Sequence, residues 1–212
     1  MQLRKVLRAK PGYDFFIQDF SGDERFQVTL VSYTDKDIFT NILWSEKAPQ
    51  ERKKIWMAIA FPNKQEKLEL IVQKLTEIGI SHLYLWAAER SQLNELKENK
   101  MQRLQKIMKE AMEQSRGWKI PQISIIQDLK SLQKEWNFVV FDLPKEGMKK
   151  EENPDRIYQN TLPFLWVIGP EGGLSFKDYE QFPEFYQVKS LWDTVLRMET
   201  AAIIGGRIVK NR

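Results

Sequence analysis

The sequence predicts an α/β protein whose sheet is largely parallel, preceded by a small all-β module. Two observations lead to this fold class. From Ile55 onward, short apolar runs of strand length alternate with longer segments of helical periodicity, which is typical of a parallel sheet covered by helices on both faces. Before residue 45, only short runs of alternating apolar and polar residues occur. With 212 residues, 42% of them hydrophobic, the chain can form a packed core.

The N-terminal part is predicted to be a small β-barrel or sheet. Its strand-like runs, separated by turn residues, lie at residues 14–17, 25–31 and 39–44. A polar stretch at residues 46–54, which contains Pro49, is predicted to be a linker. We therefore divide the chain into a module of residues 1–50 and a second domain of residues 51–212.

The second domain begins with a predicted strand–helix unit. Residues 55–60 are uniformly apolar, as in a buried strand. Asn63, with Glu66 three residues later, resembles a helix cap with its capping-box partner. Gly79 is expected to end this helix. The apolar residues that share one face of the helix are Leu68, Ile71, Val72, Leu75 and Ile78.

The remaining elements continue the alternation. A strand is predicted at residues 82–87, and a last helix at about residues 199–209. Further strands are predicted at residues 123–126, 138–142, 164–168 and 186–189. Between them, a second amphipathic helix carries Leu104, Ile107, Met108, Ala111 and Met112 on its apolar face. Methionine and aromatic residues at these spacings are interpreted as core.

Composition excludes several classes of protein and site. The chain has no cysteine, so disulfides and thiolate metal sites are impossible. Its single histidine, His82, starts an apolar run and is interpreted as structural or surface-exposed. No apolar run approaches the ~20 residues of a transmembrane helix, and no signal-peptide pattern is visible, so we expect a cytoplasmic protein. With 33 basic and 29 acidic residues, the formal charge of +4 permits a nucleic-acid partner without demanding one.

Two segments in the last quarter of the chain are the best candidates for a ligand site. Trp166-Val-Ile-Gly-Pro-Glu-Gly-Gly-Leu-Ser175 predicts a buried strand, a glycine-rich loop and a helix start, and Leu196-Arg-Met-Glu-Thr-Ala-Ala202 precedes a small, apolar helix. Glycines let a ligand approach the backbone closely, although a plain tight turn explains them equally well. The loop has neither the Lys-Ser/Thr of a P-loop nor Rossmann spacing. We therefore expect one composite pocket that is not an ATP or NAD site.

The same segments carry a resemblance to a known family. Gly169-Pro-Glu-Gly-Gly-Leu-Ser175 and Leu196-Arg-Met-Glu-Thr-Ala201 resemble the signature of the RsmE family, the 16S ribosomal RNA uridine-N3 methyltransferases of the SPOUT (knotted) class. Lys74-Leu-Thr-Glu-Ile-Gly-Ile80 and Ala111-Met-Glu-Gln-Ser-Arg116 resemble two helix ends of that family. The matches run in the family's order from about Asn63 to the C-terminus, so the combination is more specific than any single loop.

This resemblance implies a fold and a function. The fold would be a PUA-like N-terminal barrel followed by a SPOUT domain with a trefoil knot, assembled as a homodimer with active sites at the subunit interface. The function would be methylation of N3 of a specific uridine in the 16S ribosomal RNA of the 30S subunit, with S-adenosylmethionine (SAM) and no metal. Another target, such as a ribose 2′-hydroxyl or a tRNA, and a catalytically inactive RNA-binding relative stay open as alternatives.

Three charged residues are candidates for catalysis. Uracil N3 must lose its proton to become nucleophilic, and a nearby cation would stabilise the developing anion. Arg197 is the first candidate for that role, or for gripping a phosphate; alternatively it forms a structural ion pair with Glu199 or contacts a second subunit. Glu199 is expected to cap the last helix or to hold Arg197. Glu171 is expected to orient a partner or accept a proton, or instead to lock the loop by hydrogen bonds.

The resemblance also implies binding residues. The cofactor is expected to lie against the backbone of both segments and an apolar cradle, and the residues expected to bind it are Leu165, Ile168, Gly169, Glu171, Gly172, Gly173, Leu191, Leu196 and Thr200. The residues expected to bind RNA are Arg4, Lys5, Arg8 and Arg116.

Two departures from the family pattern affect the RNA-binding residues. In the family, further residues precede the Leu-Arg-Lys-Val-Leu-Arg segment that begins here at Leu3, so the N-terminal module is expected to be short. The family often has Gly then Arg after Glu-Gln-Ser, whereas this chain has Arg116 then Gly117. The guanidinium is therefore expected about 100° away around the helix.

Overall fold

The computed structural model describes residues 8–19, 21–49, 54–143, 162–184 and 186–211. The chain forms two compact units, Met1–Arg52 and Lys53–Arg212. Two of the residues expected to bind RNA, Arg4 and Lys5, lie outside the described residues.

The first unit contains an antiparallel sheet with the strand order β1-β2-β3. Its strands are β1 (Asp14–Gln18), β2 (Glu24–Tyr33) and β3 (Ile38–Lys47). The Asp19 carboxylate closes the first turn, since it accepts hydrogen bonds from the amides of Asp23 and Glu24 at 2.8 and 3.1 Å. The three predicted strands are thus confirmed. The prediction that the linker begins at residue 46 is wrong, because cross-strand pairing extends β3 to Lys47.

The second unit contains a six-stranded sheet in which every neighbouring pair is parallel. The strand order is β6-β5-β4-β8-β7-β9. The strands are β4 (Trp56–Ala60), β5 (His82–Trp86), β6 (Gln122–Ile126), β7 (Asn137–Phe141), β8 (Phe164–Ile168) and β9 (Tyr186–Lys189). The predicted parallel α/β sheet is confirmed. Its central strands read as continuous apolar runs because both of their faces are buried.

The helices are those that the sequence predicts, with one different start. They are α1 (Gln65–Ile78), α2 (Glu98–Gln114), the short α3 (Phe176–Tyr179) and α4 (Met198–Lys210). Gly79 ends α1 in the left-handed conformation, with φ of 83°. The prediction that Asn63 caps α1 is wrong: Lys64 is the N-cap residue, and no side chain caps the helix. Asn63 instead gives its backbone N–H to the carboxylate of Glu171.

Two glycines in α4 allow this helix to pack closely against its neighbours, which fixes the position of its N-terminus. A Cβ atom at Gly205 would lie 2.8 Å from the Phe141 ring, and one at Gly206 would lie 2.7 Å from the Leu75 side chain. Only glycine therefore permits this approach without a shift of the neighbours. Because α4 sits so close to β7, its N-terminus lies beside the carboxyl ends of the parallel strands, the edge where open α/β sheets bind ligands.

His82 lies at the other end of β5 and has a structural environment. Its imidazole Nε2 is 2.8 Å from the hydroxyl of Ser124 on β6, and its ring stacks on Tyr84. Burial lowers the pKa of His82 below its ordinary value. The structural interpretation of this residue is confirmed.

Candidate active site

The two segments singled out in the sequence meet in one cavity at the carboxyl ends of β7 and β8. One wall is the glycine loop, defined as residues 169–175, and the other is the start of α4. The cavity has a volume of about 400 Å³, within the usual range of small-molecule sites. It is lined by Lys67, Phe141, Asp142, Ile168, Gly169, Pro170, Glu171, Gly173, Leu174, Val195, Leu196, Arg197, Met198 and Ala201. Both predicted segments therefore line one cavity, and ligand binding there stays a prediction.

The glycine loop is a tight turn that also forms a cavity wall. The amide of Gly173 donates to the Pro170 carbonyl at 2.9 Å, and Gly173 has a φ of +73°, a conformation that residues with a Cβ rarely adopt. Ser175 then begins α3 through a capping box with the buried Asp178. The glycine loop is therefore a tight turn that lines the cavity, and its contact with a ligand stays a prediction.

Gly172 faces away from the cavity, towards the loop that follows β5. The Arg90 guanidinium donates to the Gly172 carbonyl at 2.6 Å, and a Cβ atom at Gly172 would lie 3.2 Å from the Arg90 side chain. The backbone amide of Glu89 donates to the carboxylate of Asp178 at 2.9 Å. These contacts hold the outer side of the glycine loop, so the close approach at Gly172 is to Arg90.

The carboxylate of Glu171 ties the glycine loop to α1. It accepts a hydrogen bond from Lys67 Nζ at 2.8 Å and from the Asn63 amide at 3.2 Å. Burial raises the pKa of Glu171, but the hydrogen bonds from Lys67 and backbone amides outweigh it and leave the pKa below its ordinary value. A carboxylate with a lowered pKa is a weak base. The geometry therefore favours the locking role of Glu171 over proton acceptance.

Arg197 is the N-cap residue of α4, and its exposed side chain lines the cavity. Among the described residues, no carboxylate lies within 4.0 Å of its guanidinium. Glu199 instead faces Lys67, with 3.9 Å between Lys67 Nζ and its Oε2, which is buried without a hydrogen bond. The Arg197–Glu199 ion pair is therefore not formed, and Glu199 makes no cap hydrogen bond. Arg197 therefore lines the cavity with a cation that no carboxylate among the described residues pairs with.

Several residues expected at the site lie outside the cavity lining. Leu165 is fully buried in the core, and Leu191 and Thr200 are half-buried beside the site. Arg8 and Arg116 are exposed, and both have positive φ, at 47° and 53°. Arg116 follows the C-cap of α2. Cofactor binding by Leu165, Gly172, Leu191 and Thr200, and RNA binding by Arg8 and Arg116, stay predictions.

Sequence reasoning missed two charged residues of the lining, Lys67 and Asp142. Asp142 accepts hydrogen bonds from the Tyr179 hydroxyl at 2.7 Å and from the Leu143 amide at 2.8 Å. Burial, reinforced by the bond to Asp142, raises the pKa of Tyr179. Asp142 was detectable, because it directly follows an apolar strand at the ligand-binding edge. Lys67 carried no comparable signal, since it is one of two lysines in the polar segment Lys64-Gln-Glu-Lys67.

The lining combines an apolar wall with charges of both signs. Phe141, Ile168, Leu196 and Met198 supply apolar surface, while carboxylates and cations stand beside exposed backbone. Such a surface suits a ligand that has a flat apolar part and a zwitterionic or cationic part. No group of three histidine, aspartate or glutamate side chains that could hold a metal occurs among the described residues. In the same part of the chain, no helix has the length and apolar character needed to span a bilayer.

Comparison with known proteins gives a consistent result. Residues 49–209 match the RNA methyltransferase domain family. The ribosomal RNA small subunit methyltransferase E of Bacillus subtilis strain 168 is 31% identical over 173 residues, which cover 76% of this chain and 67% of that protein.

Solved structures share the fold. The ribosomal RNA small subunit methyltransferase E of Neisseria gonorrhoeae, solved with SAM, superposes with a TM-score of 0.76 at 20% identity over 99% of this chain and 87% of that one. A Legionella pneumophila protein, also solved with SAM, gives 0.74 at 24% identity over the same shares. At these identities the solved structures establish the fold. Membership of the family is established by the match to the family and by the Bacillus relative. The chain belongs to the RNA methyltransferase domain family, within the group of ribosomal RNA small subunit methyltransferase E.

Proposed function

We propose that this protein transfers a methyl group from SAM to N3 of a uridine in 16S ribosomal RNA. The observation that carries the proposal is the cavity between the glycine loop and the start of α4, with Arg197 in its lining. The relationship to the ribosomal RNA small subunit methyltransferase E of Bacillus subtilis supports the RNA substrate, and the structures solved with SAM support the donor.

The residues of the cavity fit SAM. Phe141, Ile168 and Leu196 offer an apolar surface for the adenine, and the backbone of Gly169 and Gly173 is accessible beside it. The Asp142 carboxylate complements a ligand that carries positive charge. When bound, SAM supplies the methyl group on a sulfonium centre, and the reaction needs no metal. The protein then contributes by aligning the acceptor, which is worth several kcal/mol when reacting atoms are held in contact.

Arg197 is the catalytic residue in this proposal. Uracil N3–H is a weak acid that releases its proton to solvent water, and its anion is the nucleophile, so a cation beside the base lowers the cost of deprotonation. Arg197 is suited to this task because no carboxylate among the described residues neutralises it. N3 lies on the pairing edge of uracil, so the target base must be unpaired or flipped out of its stack. Glu171 and Glu199 serve the site by holding its walls rather than by moving protons.

The wider architecture is also part of the proposal. Residues 1–50 form a PUA-like module that binds RNA, and residues 51–212 form a SPOUT domain with a trefoil knot. The protein acts as a cytoplasmic homodimer on 16S RNA of the 30S subunit. The parallel sheet and the likeness to the Neisseria fold support the α/β domain, and the knot is implied by the resemblance to the SPOUT class. Support for the dimer comes from an apolar groove of about 490 Å³ beside the end of α4, where Trp166 and Val209 line the wall.

Nucleoside mass spectrometry tests the function directly. We expect 16S RNA from a strain that lacks the gene to lose one N3-methyluridine, and the purified protein with SAM to restore it on 30S particles or free 16S RNA. A different methylated nucleoside, such as a 2′-O-methyl ribose, would redirect the proposal to another target. No change in any nucleoside would support an inactive RNA-binding relative.

A further inference from the structure

Lys67 connects the two halves of the proposed SAM site. It belongs to α1, which contributes no other residue to the cavity lining. Its Nζ lies 2.8 Å from Glu171 on the glycine loop and 3.9 Å from Glu199 in the first turn of α4. The two carboxylates therefore belong to the two opposite walls, and both lie within 4 Å of the same nitrogen.

Partial burial makes this contact stronger than an ordinary surface ion pair. The side chains of Lys67, Glu171 and Glu199 are 27%, 24% and 15% exposed. Oε2 of Glu199 is buried and accepts no hydrogen bond, so its negative charge is compensated through space by Lys67 alone among the described cations. Without the ammonium group, two partly desolvated carboxylates would converge on one point, and like charges at such a site repel.

We propose that Lys67 is a positioning residue, which fixes the separation between the glycine loop and the start of α4 so that the cavity is formed before the cofactor binds. This role rests on the proposed function, because it makes Lys67 a determinant of SAM affinity. Lys67 acts through Glu171 and Glu199. The segments that Lys67 joins follow β4, β8 and β9, and the end of β7 completes the lining with Phe141 and Asp142.

Hydrogen exchange of the ligand-free, full-length protein tests the positioning without relying on activity. In Lys67→Met, we expect amides of residues 169–175 and 196–202 to exchange about tenfold faster, the equilibrium effect of losing one charge-assisted hydrogen bond. SAM binding, measured by calorimetry, should weaken by a similar factor. Lys67→Arg should restore most of both. Lys74→Met is the matched control, because Lys74 pairs with Glu77 on the same helix, and it should change neither.

The possible results separate this inference from the proposed function. Unchanged exchange in both segments would overturn it, as would a uniform increase throughout the second unit, which is the result of general destabilisation. Faster exchange in both segments, with rescue by Lys67→Arg, would support the positioning role of Lys67. This holds even if the wild-type protein methylates no uridine, because that result would refute the proposed function alone. Should Lys67→Met not fold, Lys67→Gln removes the charge with less loss of polarity and allows the same comparison.

Discussion

Removal of the Arg197 guanidinium gives the sharpest test of the proposed chemistry. In Arg197→Ala, we expect turnover at saturating RNA and SAM to fall by roughly 10²–10³-fold, equivalent to about 2.7–4 kcal/mol, the usual effect of removing one preorganised group that stabilises an oxyanion. SAM affinity should stay near that of the wild-type protein, because the cation serves the developing uracil anion.

The structure limits what else this substitution can change. The Arg197 side chain is exposed, it makes no cap hydrogen bond, and no carboxylate among the described residues pairs with it. Exposed positions of this kind usually alter stability by no more than about 0.5 kcal/mol. If the activation free energy rises by several times more than the free energy of unfolding falls, the effect can therefore be assigned to the reaction itself.

Steady-state methylation of 16S RNA, measured across RNA and salt concentrations, provides the assay. Arg197→Lys should recover little activity if the planar fork matters, since an ammonium is a point charge. Arg207→Ala is the control, because Arg207 is an exposed arginine near the other end of α4, and its guanidinium donates a hydrogen bond to the Asn211 side chain at 2.7 Å. If Arg197→Ala keeps normal turnover at saturating RNA, with only weaker RNA binding and a salt slope reduced by about one unit, the catalytic assignment is refuted.

Three further expectations concern stability and assembly. In Gly205→Ala, the new Cβ would lie 2.8 Å from the Phe141 ring, so overpacking of about 1–3 kcal/mol should exceed the gain in helix propensity of at most ~1 kcal/mol; an unchanged or higher Tm would contradict this packing. Because the pKa of Glu171 is lowered in the folded protein, its ionised carboxylate stabilises the fold at a pH above the ordinary pKa of 4.5. This contribution is lost as the pH falls through the lower folded-state pKa. Acid titration of unfolding should therefore show a shallower decline for Glu171→Gln, and parallel curves would exclude the contribution. Light scattering of the full-length protein at micromolar concentration should give twice the mass of one chain, and a monomer mass would refute the proposed dimer.

Much of the fold was predictable because the burial of each strand and helix determines the pattern of apolar residues in its own sequence. The buried runs of β4, β7 and β8 are apolar at nearly every position, which only a two-sided sheet requires. The buried face of α1 repeats with the helical period, and Gly79 ends it where a left-handed residue is needed. The start of α1 was predicted wrongly because Asn63 has the chemistry of a cap, but its backbone is held by a residue more than a hundred positions away.

The sequence by itself determined the parallel α/β class, the two segments of the site and the family to which they belong. Tertiary structure alone decided which polar groups lie together: Lys67 lies against the carboxylate of Glu171 and Arg90 against the backbone carbonyl of Gly172, whereas Arg197 is apart from Glu199. The first two contacts join residues 104 and 82 positions apart. Periodicity and spacing indicate the neighbours of a residue along its own helix or strand. A hydrogen bond between residues so far apart in sequence forms only once the strands have aligned. The loops that build the cavity are therefore visible in the sequence, and the lysine that joins them is visible only in the fold.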